Sequence, residues 1–316
     1  MRTLTDKQYN VLKSLCTLPP DKILEPILSF LKDEYDYLSI DYTKDYLYAK
    51  GTLPVMLVAH IDTVFSYAPD EIFYDKEKGA IWAPYGLGAD DRAGIFGILD
   101  LVCRGFHPSI LLLNGEEKGC LGAQAFIKNY PKTPKNIKYI IELDRAGTND
   151  CVFYDCGNRD FISYIESFHF AEAQGTYTDI VVLGPQWDIA TVNLSIGYER
   201  EHTYSETLYV GPMLATIERI SLMLKEVSDI HVPFFKFGYK VVEISDPETQ
   251  CSICKKPIDP VETFMVLRLN GKKEPLCPTC LARINVKWCD KCYEPFEFSK
   301  PDEKICSNCM NMKKVG

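Results

Sequence analysis

Three short apolar runs, each ending abruptly in polar or acidic residues, constrain the fold more than any other feature. They are PVMLVAH (54–60), SILLLNGEE (109–117) and IKYIIELD (137–144). A run of this length, apolar throughout, suits a strand covered on both faces, as in the centre of a parallel sheet. Helical spacing lies between and around these runs. RAGIFGILDLVC (92–103) reads as a helix capped near Arg104-Gly105, and residues 120–129, 159–170 and 210–227 read as further helices. Strands fit 150–155, 178–183 and 191–196, a strand pair fits 36–49, and 71–83 reads as a hairpin turning at Lys78-Gly79. Residues 6–17 and 21–32 have helical spacing, separated by Pro19-Pro20. Apolar strands alternating with amphipathic helices predict a three-layer α/β/α domain around a mainly parallel central sheet.

The chain of 316 residues is long enough for one substantial core and a smaller attached unit. It opens on no secretory pattern and holds no apolar run long enough to span a bilayer, so we expect a cytoplasmic protein without a membrane segment. The formal charge of −9 argues against nucleic acid as the main partner.

Cysteine usage divides the chain. Of 13 cysteines, eight follow residue 250 in four CxxC pairs: Cys251/Cys254, Cys277/Cys280, Cys289/Cys292 and Cys306/Cys309. Paired thiols two residues apart suit zinc, and two pairs complete a tetrahedral site. Sequential pairing gives two all-cysteine modules, and a cross-brace of first pair with third is the alternative. A tail this short has too small an apolar core to fold without metal. Residues 251–316 carry 12 Lys and Arg against 8 Asp and Glu, a surplus of +4. Thiolate coordination of two zinc ions, at about −2 net per site, cancels that surplus. A nucleic-acid interface is therefore not expected here either. VETFMVLRL (261–269) reads as a strand and Trp288 as an exposed contact point, and the tail is expected to pack against the catalytic domain, to cover part of the cleft or to recruit a protein partner. The domains expected are a catalytic domain over 1–230, a strand and linker over 231–250, and two four-cysteine zinc modules over 251–316. The other five cysteines, Cys16, Cys103, Cys120, Cys151 and Cys156, lack regular spacing and read mostly as buried small hydrophobes.

Strand ends gather the polar residues. His60 and Asp62 follow one central strand, Glu116 and Glu117 another, and Asp144 a third, while Asp90 and Asp91 precede a helix and His202 sits in a loop. In a parallel sheet the carboxyl ends of the strands share one edge, where ligands bind. Each residue alone has an ordinary reading: a solvated glutamate pair, a helix cap, a turn histidine. Together, two of only five histidines and several carboxylates suit zinc, with manganese or cobalt also accommodated. Two such ions can activate a water and polarise a carbonyl, with a carboxylate to carry the proton.

Five stretches in order, VAHIDTV (58–64), GLGADDRAG (86–94), NGEEKGCLGAQAF (114–126), ELDRAG (142–147) and GYEREHTYSE (197–206), resemble the co-catalytic zinc exopeptidases. That superfamily contains aminopeptidases, tripeptidases and acylamino-acid deacylases. The resemblance implies a zinc-peptidase domain with His60 and Asp144 on one zinc and Glu117 and His202 on the other. It further implies Asp90 bridging both, Asp62 orienting His60, and Glu116 as general base and acid. It places Asp179 near the site without a role, gives Arg92 no catalytic part, and implies a cis peptide between Asp90 and Asp91. Lidded relatives insert a domain between the residues matching Asp144 and His202, which are too close in this sequence to hold one. The expected activity is cleavage of a peptide or amide bond by an aminopeptidase with two catalytic and two structural zinc ions. An N-acyl amino acid deacylase or dipeptidase is the first alternative. A non-catalytic scaffold acting through its zinc fingers is the second.

Overall fold

The computed structural model describes residues 3–35, 37, 39–134, 137–175, 177–229, 250–256, 264–270, 272–281, 283–289, 295–300, 302–304, 306–307 and 310. The expected linker over 231–250 lies almost wholly outside them, as do Cys292, Cys309 and the side chain of Trp288. The chain divides into two compact units, within Met1–Gly238 and within Tyr239–Gly316.

The N-terminal unit begins with α1 (Asp6–Thr17) and α2 (Leu24–Ser29), followed by β1 (Ile40–Tyr42), β2 (Tyr46–Ala49), β3 (Leu53–His60), β4 (Phe73–Asp75) and β5 (Ala80–Trp82). Then come α3 (Ala89–Cys103), β6 (Pro108–Leu113), α4 (Leu121–Asn129), β7 (Tyr139–Arg145), β8 (Asp150–Val152) and α5 (Arg159–Glu166). It closes with β9 (Ala171–Glu172), α6 (Ile180–Trp187), β10 (Thr191–Ser195), β11 (Tyr198–Glu199), β12 (Thr207–Tyr209) and α7 (Val210–Asp229).

The main sheet runs β1-β2-β6-β3-β7-β10-β8-β9. Its centre, β6-β3-β7-β10, is parallel throughout, and antiparallel pairings occur at β1-β2, β2-β6 and β10-β8. Alternation along the strands explains the three layers. Val55, Leu57 and Ala59 of β3, with Ile110 and Leu112 of β6, enter a core shared with Leu12 of α1, Phe96 of α3 and Ile217 of α7. The intervening Met56, Val58, Leu111 and Leu113 enter a second core with Phe126 of α4 and Leu183 and Trp187 of α6. Each apolar side chain so buried contributes about 1.5–3 kcal/mol, which is why the strands read as unbroken apolar runs. A capping box starts α1: Thr5 accepts from the Gln8 N–H at 3.3 Å while its own N–H donates to Gln8 Oε1 at 3.0 Å.

Two expectations are corrected. The run at 178–183, expected as a strand, supplies the start of α6. Its β-branched residues favour a strand locally, but Ile180, Leu183 and Trp187 recur at helical spacing and fill the second core. The single helix expected over 21–32 is instead a 3-10 turn at Pro20–Lys22, then α2, then a π turn at Phe30–Glu34. Pro26, with no N–H to donate, falls within this interrupted stretch. A second sheet, β11-β12-β5-β4, was not foreseen; it pairs the expected 71–83 hairpin with the strands flanking His202.

The C-terminal unit contains β13 (Phe264–Leu267), β14 (Lys273–Leu276), α8 (Pro278–Leu281), β15 (Val286–Trp288) and β16 (Pro295–Glu297), with sheet order β14-β13-β16-β15. Among the described residues no helix is long and apolar enough to cross a membrane.

Candidate metal centre

Parallel register brings the strand ends together. His60 closes β3 opposite Leu113 of β6, and the chain beyond Leu113 turns at once into Gly115, Glu116 and Glu117. Val58 pairs with Glu142, so Asp144 ends β7 at the same edge. Asp90 arrives from the start of α3, where the peptide between Asp90 and Asp91 is cis, as the resemblance implies. His202 arrives from the turn between β11 and β12, with its backbone in the left-handed region at φ 59°.

Asp90 stands at the centre of these groups. Its Oδ1 lies 2.9 Å from His60 Nε2 and its Oδ2 lies 3.1 Å from His202 Nε2. Asp144 Oδ1 lies 3.4 Å from His60 Nε2, and Glu117 Oε1 lies 3.2 Å from His202 Nε2. The donor atoms form three overlapping groups: His60, Asp90 and Asp144; Asp90, Glu117 and His202; and His60, Glu116 and Glu117, each within 4.8 Å. Such groups can hold one or two zinc ions.

The donors are held from behind. Asp62 Oδ1 accepts from the N–H groups of Gly115 and Glu116 at 2.8 and 3.1 Å and lies 3.4 Å from His60 Nδ1. It therefore ties the ends of β3 and β6 together while facing the histidine. Asn193 of β10 clasps the Asp144 backbone, accepting from its N–H at 2.9 Å and donating to its carbonyl at 2.6 Å. The Tyr198 hydroxyl donates to Asp144 Oδ1 at 3.0 Å, and the Thr178 hydroxyl lies between Asp144 Oδ2 at 3.2 Å and Glu142 Oε2 at 2.8 Å. Glu206, fully buried, accepts from the N–H groups of Leu87, Gly88 and Ala89 through Oε2 and of Asp90 through Oε1.

The electrostatics fit a cation. Burial, with the charge of Asp144 adding to it, pushes the Glu116 carboxyl up to about 8. Burial and then Asp90 push Glu117 to about 7, and burial carries Asp179 to about 7. Asp90 is the exception: burial opposes its charge, but hydrogen bonds from His202 and His60 prevail and keep it below the usual range. Crowded carboxylates that resist ionisation are what a divalent ion relieves. Glu117 Oε1 is buried and, although 3.2 Å from His202 Nε2, makes no well-formed hydrogen bond, which leaves acceptor capacity for a cation. The guanidinium of Arg92 is buried and donates to the Leu18 carbonyl at 3.3 Å.

All the expected donors of the N-terminal unit thus meet at one sheet edge. Sequence reasoning did not single out Glu206, Asn193, Tyr198 or Thr178. Tyr198 and Glu206 lie inside the quoted stretch GYEREHTYSE, so a buried glutamate four residues after His202 was the available signal.

In the C-terminal unit, Cys251, Cys254, Cys277 and Cys280 present their sulfurs within 4.8 Å of one another, the sequential arrangement of the first two pairs. Burial disfavours a Cys251 thiolate, yet N–H groups of Cys254, Cys277 and Ile253 aimed at its sulfur bring it down to about 6. That suits a metal-binding thiolate. Of the last two pairs, Cys289 and Cys306 are described, with the Cys306 N–H 3.2 Å from the Cys289 sulfur.

Residues 47–168, which carry His60, Asp90, Glu116, Glu117 and Asp144, match the model of Peptidase family M28. Three solved structures illustrate the likeness of fold. Aminopeptidase PepT from Bacillus cereus ATCC 10987 is 15% identical with a TM-score of 0.55, over 71% of this chain and 99% of that one. A tripeptidase from Staphylococcus aureus is 13% identical with a TM-score of 0.58, over 72% of this chain and 100% of that one. The LapA aminopeptidase of Legionella pneumophila is 15% identical with a TM-score of 0.53, over 72% of this chain and 71% of that one. No curated protein matches the sequence. The resemblance to the co-catalytic zinc exopeptidases therefore extends from the motifs to the fold that carries them.

Proposed function

We propose that the N-terminal unit is a zinc-dependent hydrolase that cleaves a peptide or amide bond as an aminopeptidase. One observation carries the reading: the two oxygens of Asp90 face different histidines, His60 and His202, each accompanied by a further carboxylate. That is the arrangement of a carboxylate shared between two ions. His60 and Asp144 would hold one, Glu117 and His202 the other, with manganese or cobalt able to replace zinc. Bound there, the ions supply Lewis acidity to the substrate carbonyl and to water.

The chain's own residues supply the rest. Glu116, half-buried beside the donors, would act as the carboxylate once the ions' charge offsets its neighbours', taking a proton from the attacking water and passing it to the leaving nitrogen. Asp62 fixes the His60 ring, and Glu206 fixes the loop that presents Asp90. The segment between Asp144 and His202 contributes β8, β9 and β10 to the main sheet, so it builds no separate lid. This favours the compact aminopeptidase architecture over a lidded deacylase or dipeptidase.

In the tail, Cys251, Cys254, Cys277 and Cys280 would hold one structural zinc, and Cys289, Cys292, Cys306 and Cys309 a second. Eight thiols used as metal ligands suit the reducing cytoplasm. The domain limits proposed are 1–230, 231–250 and 251–316, the last serving to recruit a protein partner. Glu116→Gln tests the whole: zinc content should stay at about four ions per chain while hydrolysis of aminoacyl, dipeptide and N-acyl substrates is lost. A zinc-loaded wild-type protein inert towards all of these would overturn the hydrolase reading in favour of a scaffold.

A further inference from the structure

A cavity of about 980 Å³ opens beside His202, a residue that also belongs to the donor set. Its walls include the rings of Phe65, Tyr85 and Tyr204 and the carboxylates of Asp70 and Glu71, with no lysine or arginine in the lining. The rings form an organised group. Tyr204 stacks on Phe65 at 6.3 Å between centroids and meets Tyr85 edge-on at 6.0 Å. Phe65 is itself seated on Gly86, where even a Cβ would come within 2.3 Å of the ring. Tyr85 and Tyr204 nevertheless leave most of their surface open, at 79% and 71% exposure. Exposed rings grouped around a cavity mark a surface suited to a ligand.

We propose that this cavity binds the guanidinium or ammonium side chain of an arginine or lysine flanking the scissile bond. The inference rests on the hydrolase reading and adds a substrate class to it. Three features select a cation over an aliphatic side chain. Ring faces attract cations, and a planar guanidinium stacks on them with little cost in hydration. Asp70 and Glu71 supply acceptors for its N–H groups, and no lysine or arginine lines the cavity to compete. Residues 1–250 carry 23 Lys and Arg against 36 Asp and Glu, a field that draws cationic peptides in. Because His202 belongs to both the cavity and the donor set, an occupant of one is adjacent to the other.

The test uses the zinc-loaded full chain and two readouts. Hydrolysis of arginyl and leucyl nitroanilides probes the residue before the scissile bond, and Leu-Arg against Leu-Leu probes the residue after it. In one of these pairs the arginine substrate should be favoured in kcat/KM by about tenfold. Tyr204→Leu and the double variant Asp70→Asn, Glu71→Gln should each remove most of that ratio. Calorimetric titration of the zinc-loaded Glu116→Gln variant with argininamide against norleucinamide reads the cavity independently of turnover. Tighter argininamide binding that Tyr204→Leu weakens, with no hydrolysis of any substrate, would leave the cavity assignment standing and sink the hydrolase reading. Hydrolysis with equal ratios and equal amide binding, or with a leucine preference, would overturn the cavity assignment and leave the hydrolase reading intact.

Discussion

Glu206 grips the chain that presents Asp90: its carboxylate accepts four consecutive backbone N–H groups, from Leu87 at 3.2 Å, Gly88 at 2.6 Å, Ala89 at 3.1 Å and Asp90 at 3.0 Å. Glu206 lies 116 residues away in sequence and immediately precedes β12, so one side chain joins the second sheet to the start of α3. Gly88 can take part because it adopts φ 69°, a region costly for residues with a Cβ. The carboxylate does for this loop what an N-cap does for a helix, with twice the acceptor capacity of a single oxygen.

Glu206→Ala strands four donors, each left unsatisfied at a cost of about 1–3 kcal/mol where water cannot replace the acceptor. Loosening the support of Asp90 should lower zinc affinity at the N-terminal centre by about 10–100-fold. Glu206→Gln, which offers one acceptor oxygen, should fall between. Competition with a chromogenic chelator measures the affinity, and circular dichroism confirms that the variants fold. Wild-type affinity in a folded Glu206→Ala protein would show that the loop holds Asp90 without help.

Two glycines of α3, one turn apart, should respond in opposite directions. A Cβ at Gly94 would sit 2.3 Å from the Leu143 carbonyl oxygen and 2.4 Å from Asp91 Oδ1, where β7 and α3 press together. Gly94→Ala must part the helix from the strand that ends in Asp144, costing about 1–3 kcal/mol and disturbing the metal centre. At Gly97 the nearest atoms are side-chain carbons at 3.4–3.5 Å, ordinary contacts. Gly97→Ala should therefore gain about 0.4–1 kcal/mol by restricting the unfolded chain. Urea unfolding of the two variants decides it; equal shifts would refute the packing argument.

What the sequence disclosed, and what it concealed, follows from where the information lies. The strands ending at His60, Leu113 and Asp144 were legible because burial on both faces leaves an unbroken apolar run, and the parallel sheet then fixes where their ends meet. His202 was legible only through the order of the five motifs. Glu206, Asn193 and Tyr198 were not singled out, because each acts through a partner distant in sequence and looks like an ordinary strand or loop residue locally. The run at 178–183 misled for the reverse reason: its β-branched residues state a local preference that packing against α4 overrides.

Thiol chemistry should separate the five unpaired cysteines. Burial pushes Cys16, Cys151 and Cys156 each up to about 12 and raises Cys120 as well, so none presents a thiolate near neutrality. Cys103, at the end of α3, is exposed. Iodoacetamide at neutral pH should label Cys103 first among these five, and peptide mass spectrometry identifies the site. Rapid labelling of Cys120, whose neighbours include Asp179 and Glu116, would instead mean that the second core opens beside the metal centre.

Zinc removal should affect the two units unequally. Among the described residues of the C-terminal unit the buried clusters are Val266 and Leu276 with Cys251 and Cys280, and Phe296 with Cys289 and Cys306, so more than half of their members are cysteines of the CxxC pairs. Two fully buried aliphatic side chains contribute about 3–6 kcal/mol, whereas structural zinc contributes about 10–16 kcal/mol to domains of this kind. The N-terminal unit has two extensive apolar cores, none of whose members belongs to the donor groups. A strong chelator followed by limited proteolysis should digest the chain beyond residue 250 and leave a resistant fragment from the N-terminal unit. Zinc restored before the protease should protect the tail again. A tail that stays resistant without zinc would mean that its sheet is held by contacts other than the cysteine cluster.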